Sequence, residues 1–350
     1  MAKKSIPVQL SKRTPLQDLI PLDTPYSILL SPMDFCNIKC VFCPFHGEVK
    51  GDNRPPAIMS FELFQKIIDQ IAEFPQKIKT LVFCGRGEPT LHKDLPKMIA
   101  YAKEKDVAEA IRLTTNGFNL SPELNCQLID AGLDYIRISV PAMDEQTCLE
   151  LTGAKLDLEN YIKNIKDLYD NKHEAMTVFC KTTNVALGAK NGGSVNQELA
   201  EKFYSAFDKC CDYCFIENIV PQVPHKLSNE EKEKMWIGNT DTQNVYLVEN
   251  EGSPICERLF YHFTINSSGN VYPCDLNENE KLLLGNVRET TLKEIWRGDV
   301  LKEIRLAFLK GHVPASCINC SVFQFDFPNE LHKHTDSIIN RLMNVSEREE

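Results

Sequence analysis

Three cysteines, Cys36, Cys40 and Cys43, stand at C-x3-C-x2-C spacing within DFCNIKCVFCPFHG. A loop this short lets the three thiols converge on one metal site. Iron–sulfur clusters are usually held by four cysteines, so three close ligands leave one iron of a four-iron cluster open to an exchangeable ligand. A substrate amine and carboxylate can chelate that iron, and an electron from the reduced cluster can then enter a bound sulfonium and break a carbon–sulfur bond. Spacing alone also allows a structural zinc site, with His46 as fourth tetrahedral ligand. Position favours iron, because the loop directly follows a β-rich run, and barrel-like folds carry their reactive loops at the carboxyl ends of strands.

The elements that must hold this loop are readable from periodicity. From Tyr26 the chain alternates short β-rich runs with amphipathic helical stretches, the pattern of a parallel sheet with helices packed outside. Six such runs begin at Tyr26, Ile78, Ala110, Tyr135, Met176 and Tyr213, each apolar enough to be buried on both faces. Leu63, Ile67, Ile68 and Ile71 share one helical face behind Ser60, a capping residue. A second helix is bounded by Ser121 as cap, Pro122 in its first turn and Gly132 at its end. The glycines of GRGEP lack the GxGxxG spacing of a dinucleotide fold, so the fold class is α/β with a partial (β/α)6 barrel. The expected boundaries are an N-terminal extension over 1–25, the barrel over 26–220, a polar connector over 221–250, a C-terminal module over 251–325 and a helical tail over 326–350. In that module FTINSSGNVYPC reads as a β-hairpin and TLKEIWRGDVLKEIRLAFLKG as helix broken near Gly298.

The C-terminal module carries four more thiols, Cys256, Cys274, Cys317 and Cys320. The C-x2-C pair among them suits zinc and iron equally. Cys84, Cys126, Cys148 and Cys180 fall within expected strands or helices, where a free cysteine acts as a small buried hydrophobe. Cys210, Cys211 and Cys214 surround the start of the sixth strand, where local geometry points adjacent thiols apart and gives them a structural reading. With 14 cysteines in a 350-residue chain that shows neither an export signal nor a membrane-spanning run, metal ligation is a better reading than disulfides, and a cytoplasmic location follows. The net charge of −10 supplies no cationic face for nucleic acid.

Taken together, the three-cysteine loop after the first strand and the GRGEP turn after the second resemble the radical S-adenosylmethionine (SAM) superfamily. That resemblance implies that Phe42, before the last cysteine, lies against the adenine, and that Gly87 and Glu88 belong to the turn receiving the methionine amino group. It also implies that Ser139 on the fourth strand meets the cofactor's ribose or carboxylate; Arg86 departs from the family pattern by replacing the first glycine of the turn. The C-terminal thiols, hairpin and GNVRE segment resemble the SPASM module in its shortened twitch form, which implies one auxiliary 4Fe-4S cluster on Cys256, Cys274, Cys317 and Cys320. In cysteine order and spacing the chain resembles the type that oxidises 2-deoxy-scyllo-inosamine.

The chemistry so implied is reductive cleavage of SAM to a 5'-deoxyadenosyl radical, hydrogen abstraction from substrate, and transfer of one electron to the auxiliary cluster. A secondary alcohol of a sugar or cyclitol is the expected substrate, and a flavodoxin- or ferredoxin-type protein the expected reductant. Carbohydrate epimerisation and maturation of a ribosomal peptide are the alternatives; about 25 residues before the first strand are too few for a leader-binding domain. A non-enzymatic iron–sulfur or zinc interaction protein would need neither Glu88 nor Phe42. Substrate contacts are expected at the strand ends from Lys181, Thr183, Glu217 and Asn218, and no motif places a general base.

Overall fold

The computed structural model describes residues 14–46, 56–190, 193–219, 228–235, 254–275, 282–318, 320 and 330–344. Most of the connector expected over 221–250, and the first 13 residues of the extension, lie outside them. Six strands follow one another in parallel: β1 (Ser27–Leu30), β2 (Ile78–Phe83), β3 (Ala108–Thr115), β4 (Tyr135–Ser139), β5 (Thr177–Thr183) and β6 (Tyr213–Glu217). Helices α1 (Phe61–Ile71), α2 (Leu95–Glu104), α3 (Pro122–Asp130), α4 (Glu145–Thr152), α5 (Leu158–Asn171) and α6 (Gln197–Phe207) connect them. The sheet does not close, so the fold is a partial barrel, as the alternation of the sequence predicts.

Local chemistry sets the helix ends. Ser60 Oγ accepts from Leu63 N at the start of α1, and Ser121 Oγ from Leu124 N at the start of α3, each satisfying a donor that the first helical turn leaves over. Gly132, just past α3, has φ of 83°, a left-handed conformation that a side chain would disfavour. The face of α1 formed by Leu63, Ile67, Ile68 and Ile71 is buried against the sheet.

Among the described residues the C-terminal half forms no sheet of its own. After α7 (Asn229–Lys234) and α8 (Arg258–Tyr261), β7 (His262–Ile265) pairs in parallel with β1, and β8 (Asn270–Tyr272) and β9 (Gly285–Asn286) continue antiparallel. The strand order is therefore β6-β5-β4-β3-β2-β1-β7-β8-β9, with the expected hairpin fused to the barrel beside β1. Gly298 adopts an extended conformation between α9 (Leu292–Arg297) and α10 (Asp299–Leu309), which is the break the sequence predicts. The tail forms α11 (Thr335–Asn344).

Polar staples reinforce this join. Gln70 on α1 donates from Nε2 to Val287 O at 3.0 Å and accepts at Oε1 from Leu292 N at 3.0 Å. The fully buried Trp296 donates its indole N–H to Leu22 O at 2.8 Å.

His262, opposite Ser27 across the join, is 7% exposed and bonds Thr264 Oγ1 at 3.2 Å. Burial, and next the Arg258 guanidinium, push its pKa down to about 4. The folded state thus favours the neutral ring, so its contribution to stability is complete above the unfolded value and is lost as pH falls from there through about 4. Thermal unfolding should show a loss of roughly 3 kcal/mol over that window, and His262→Gln should flatten the acid limb relative to the parent.

Candidate active site

The loop after β1 is bolted at its base. Asp34, fully buried, accepts at Oδ2 from Ala57 N at 3.0 Å and from Ser267 Oγ at 2.9 Å, tying the loop to the segment before α1 and to the C-terminal hairpin. Ser31 N donates to Ile265 O on β7. Farther along, Lys39 N and Val41 N donate to Thr152 O and Leu151 O at the end of α4, so the middle of the loop lies along that helix end. The three thiols sit within this braced stretch. Burial raises the Cys36 pKa to about 11, and burial followed by Cys43 and Cys36 raises that of Cys40. These thiols sense one another in a poorly solvated setting. That setting suits a bound cation taking the place of their protons, as in a cluster.

The turn after β2 fits into the same loop. A Cβ on Gly87 would stand 2.4 Å from Phe35 O and 2.5 Å from Met33 O, so only glycine permits this backbone approach. Glu88 N donates to Phe35 O at 2.8 Å. The Glu88 side chain, 3% exposed, turns inward: Oε1 accepts from Thr90 N, Thr90 Oγ1 and Thr115 Oγ1, and Oε2 from Asn116 N at 2.7 Å. Burial raises the Glu88 pKa while the four hydrogen bonds oppose the rise.

These parts open onto one cavity of about 280 Å³. Its walls include Cys36, Cys40 and Cys43, Phe42, Gly87 and Glu88. They also include Ser139, Lys181, Thr183, Glu217 and Asn218 from the ends of β4, β5 and β6. Every candidate cofactor residue of the first loop, turn and fourth strand is therefore brought together, as are all four candidate substrate contacts. Phe42 packs beside Leu151, Val185, Ala186 and Ile219, giving the cavity an apolar flank. Opposite polarity comes from the Lys181–Glu217 ion pair, whose side chains are only 16% and 12% exposed.

The C-terminal thiols gather nearby. Cys274 is buried, and after burial and Asp275 its pKa is raised by Cys320 and Cys256. Cys320 N donates to Cys317 O at 3.1 Å, which places the C-x2-C pair on one turn. Asp275, directly after Cys274, lines the cavity and accepts from Arg258 Nη1 at 3.2 Å. No motif in the sequence marks Asp275; its role depends on the hairpin docking beside β1. Asn116, directly after β3, reaches the cysteine loop, and Cys84, read as a small buried hydrophobe, also lines the cavity. Cys126 differs from its expected burial: it is exposed and donates to Asp130 Oδ2 at 3.4 Å. Cys210 and Cys211 are buried and donate to carbonyls of the preceding helix. His46, the ligand a zinc site would require, has Nε2 2.8 Å from Arg86 O. Among the described residues no group of three His, Cys, Asp or Glu side chains is arranged for a single metal ion.

Two family models match the chain. Residues 30–188 match the radical SAM superfamily, and residues 256–321 match SPASM, an iron–sulfur cluster-binding domain. The chain carries a radical SAM domain followed by a SPASM domain. Its cofactors are a SAM-binding 4Fe-4S cluster, SAM itself and auxiliary iron–sulfur centres. A probable GTP 3',8-cyclase of Sulfolobus acidocaldarius is 36% identical over 132 residues, which is 38% of this chain and 39% of that protein. The radical SAM–SPASM chain thus spans well under half of that relative. A tungsten-containing aldehyde ferredoxin oxidoreductase cofactor-modifying protein of Pyrococcus furiosus is 25% identical over 319 residues, 82% of this chain and 85% of that one. The crystal structure of BtrN in complex with AdoMet and 2-DOIA shares the fold, with a TM-score of 0.51, 18% identity and coverage of 82% of this chain and 88% of that one. Among the described residues no helix is long and apolar enough to cross a membrane.

Gly87→Ala should force the turn away from Met33 and Phe35 and displace the cysteine loop, so iron bound after anaerobic reconstitution should fall below that of the parent. Glu88→Gln replaces one acceptor oxygen by a donor amid four donors and should lower stability by about 1–3 kcal/mol in denaturant titration.

Proposed function

We propose that Cys36, Cys40 and Cys43 hold the SAM-binding cluster, that Cys256, Cys274, Cys317 and Cys320 hold one auxiliary cluster, and that the enzyme oxidises a secondary alcohol of a sugar or cyclitol. The carrying observation is that a single cavity is lined by the first cysteine loop and also by Asp275, the neighbour of Cys274. When bound, these groups supply reductive cleavage of SAM to methionine and a 5'-deoxyadenosyl radical, and an acceptor for one electron leaving the substrate.

The chain's own residues account for the remaining tasks. Phe42, in its apolar pocket, offers a face for an adenine ring, and Ser139 offers a hydroxyl at the end of β4. Lys181 and Glu217 present a cation and an anion side by side, a pairing that can donate to one substrate hydroxyl and accept from its neighbour. Oxidation of a secondary alcohol removes a hydrogen atom from carbon, a proton from oxygen and one electron. We assign the proton to Asp275, which lines the cavity next to Cys274 and, like Glu217 with Lys181, is paired with a cation, Arg258; Glu88 is set aside because it already accepts four hydrogen bonds. Proton and electron then leave on the same side of the cavity, because Asp275 and Cys274 are consecutive. The oxidised carbonyl carbon becomes planar, and the enclosing strand ends keep water from the intermediate.

Anaerobically reconstituted enzyme, given dithionite and SAM, should release 5'-deoxyadenosine, and a variant with Cys36, Cys40 and Cys43 all replaced by alanine should release none. A panel of amino-cyclitols and sugars assayed by mass spectrometry should yield one product two hydrogens lighter. Cys274→Ala should keep 5'-deoxyadenosine formation but lower that product at least tenfold, and Lys181→Met should do likewise. Zinc without iron in the first loop, or two-hydrogen loss only from added peptides, would overturn the assignment.

A further inference from the structure

Asn116 occupies a position where every polar group it owns is engaged. Its backbone N–H donates to Glu88 Oε2 at 2.7 Å, and its carbonyl accepts from Tyr161 OH at 2.9 Å. Its side-chain oxygen accepts from Phe118 N at 3.0 Å. That last bond decides the orientation of the amide: with Oδ1 facing a backbone donor, Nδ2 must face the cysteine loop. There it donates to Asn37 Oδ1 at 2.7 Å and lies 3.8 Å from Cys36 Sγ, within range of an N–H···S hydrogen bond. The residue is 8% exposed, so bulk water does not compete well for these bonds.

We infer that Asn116 is a positioning residue for the SAM-binding cluster, donating a hydrogen bond to the Cys36 sulfur that orients this ligand and raises the potential at which the cluster accepts an electron. This rests on the reading of Cys36 as a cluster ligand. The physical basis is that hydrogen bonds to ligand sulfurs stabilise the more negative, reduced state of an iron–sulfur cluster and so tune its potential. Glu88 and Thr115 complete the device. The Glu88 carboxylate grips the Asn116 backbone and the Thr115 hydroxyl together, at 2.7 Å each, and so fixes where the amide points. The turn after β2 therefore acts on the cluster through the end of β3.

The test is an EPR-monitored redox titration of the reconstituted holoenzyme, following the reduced-cluster signal that changes when SAM is added, alongside iron content and thermal unfolding. Asn116→Asp keeps the shape and the oxygen facing Phe118 but loses the donor; Asn116→Ala loses the donor without adding charge. The midpoint should move to more negative potential in both, with iron content retained. An unchanged midpoint in Asn116→Ala, including a shift confined to the aspartate variant, overturns the inference. Should either substitution cost the cluster itself, Thr115→Val, which touches no ligand, decides instead: a smaller shift of the same sign supports the inference, and none overturns it. Cys36→Ala separates the two levels, since survival of the SAM-responsive signal in that variant would remove the ligand reading, whereas its loss beside an unmoved Asn116→Ala midpoint removes only the role of Asn116.

Discussion

β1 is hydrogen-bonded on both sides, to β2 through Ser27–Leu30 against Thr80–Phe83 and to β7 through the same four residues against His262–Ile265. The rest of the site depends on that double pairing. Three consecutive strands in space then send their loops to the same region: the cysteine loop from β1, the GRGEP turn from β2 and, through the β7–β8 hairpin, the segment with Cys274 and Asp275. Ile28 and Leu30, entirely buried, leave no freedom to slide this strand without exposing core.

Within this frame the loops are fixed by buried carboxylates. Asp34 joins the cysteine loop to residue 57 and to Ser267, and Glu88 joins the β2 turn to the β3 end. Hydrogen bonds to charged acceptors contribute about 1.5–3 kcal/mol each, and an orphaned buried partner costs more than the bond contributes. The two carboxylates therefore brace the cofactor region in advance of any ligand. Glu88 consequently has two aspects: its backbone ties the β2 turn to Phe35, while its side chain is committed to protein donors.

Much of this was legible in the sequence where local rules dominate. The helix caps Ser60 and Ser121, the break at Gly298 and the order of six strands follow from short-range chemistry and periodicity. The convergence of Cys36, Cys40 and Cys43 on one cavity was legible because their spacing within eight residues is itself the signal. Asp275, Asn116 and the seam between β1 and β7 were not, because each draws its meaning from residues far away in the chain: Asp275 from Arg258 and the barrel mouth, Asn116 from Glu88 and Cys36, and β7 from a strand at the opposite end. Cys84 and Cys126 show the same limit, since strand or helix membership says nothing of which way a thiol faces.

The join at β1 also bears on biosynthesis. A ribosome delivers β1 to β6 well before the stretch holding His262–Ile265, so one side of β1 waits with bare amide and carbonyl groups through the synthesis of the remaining barrel. During that interval the first set of thiols has already emerged, while Ser267, which helps secure Asp34 beneath them, has not. The loop that carries the first thiols is thus only half anchored until the carboxyl-terminal hairpin arrives.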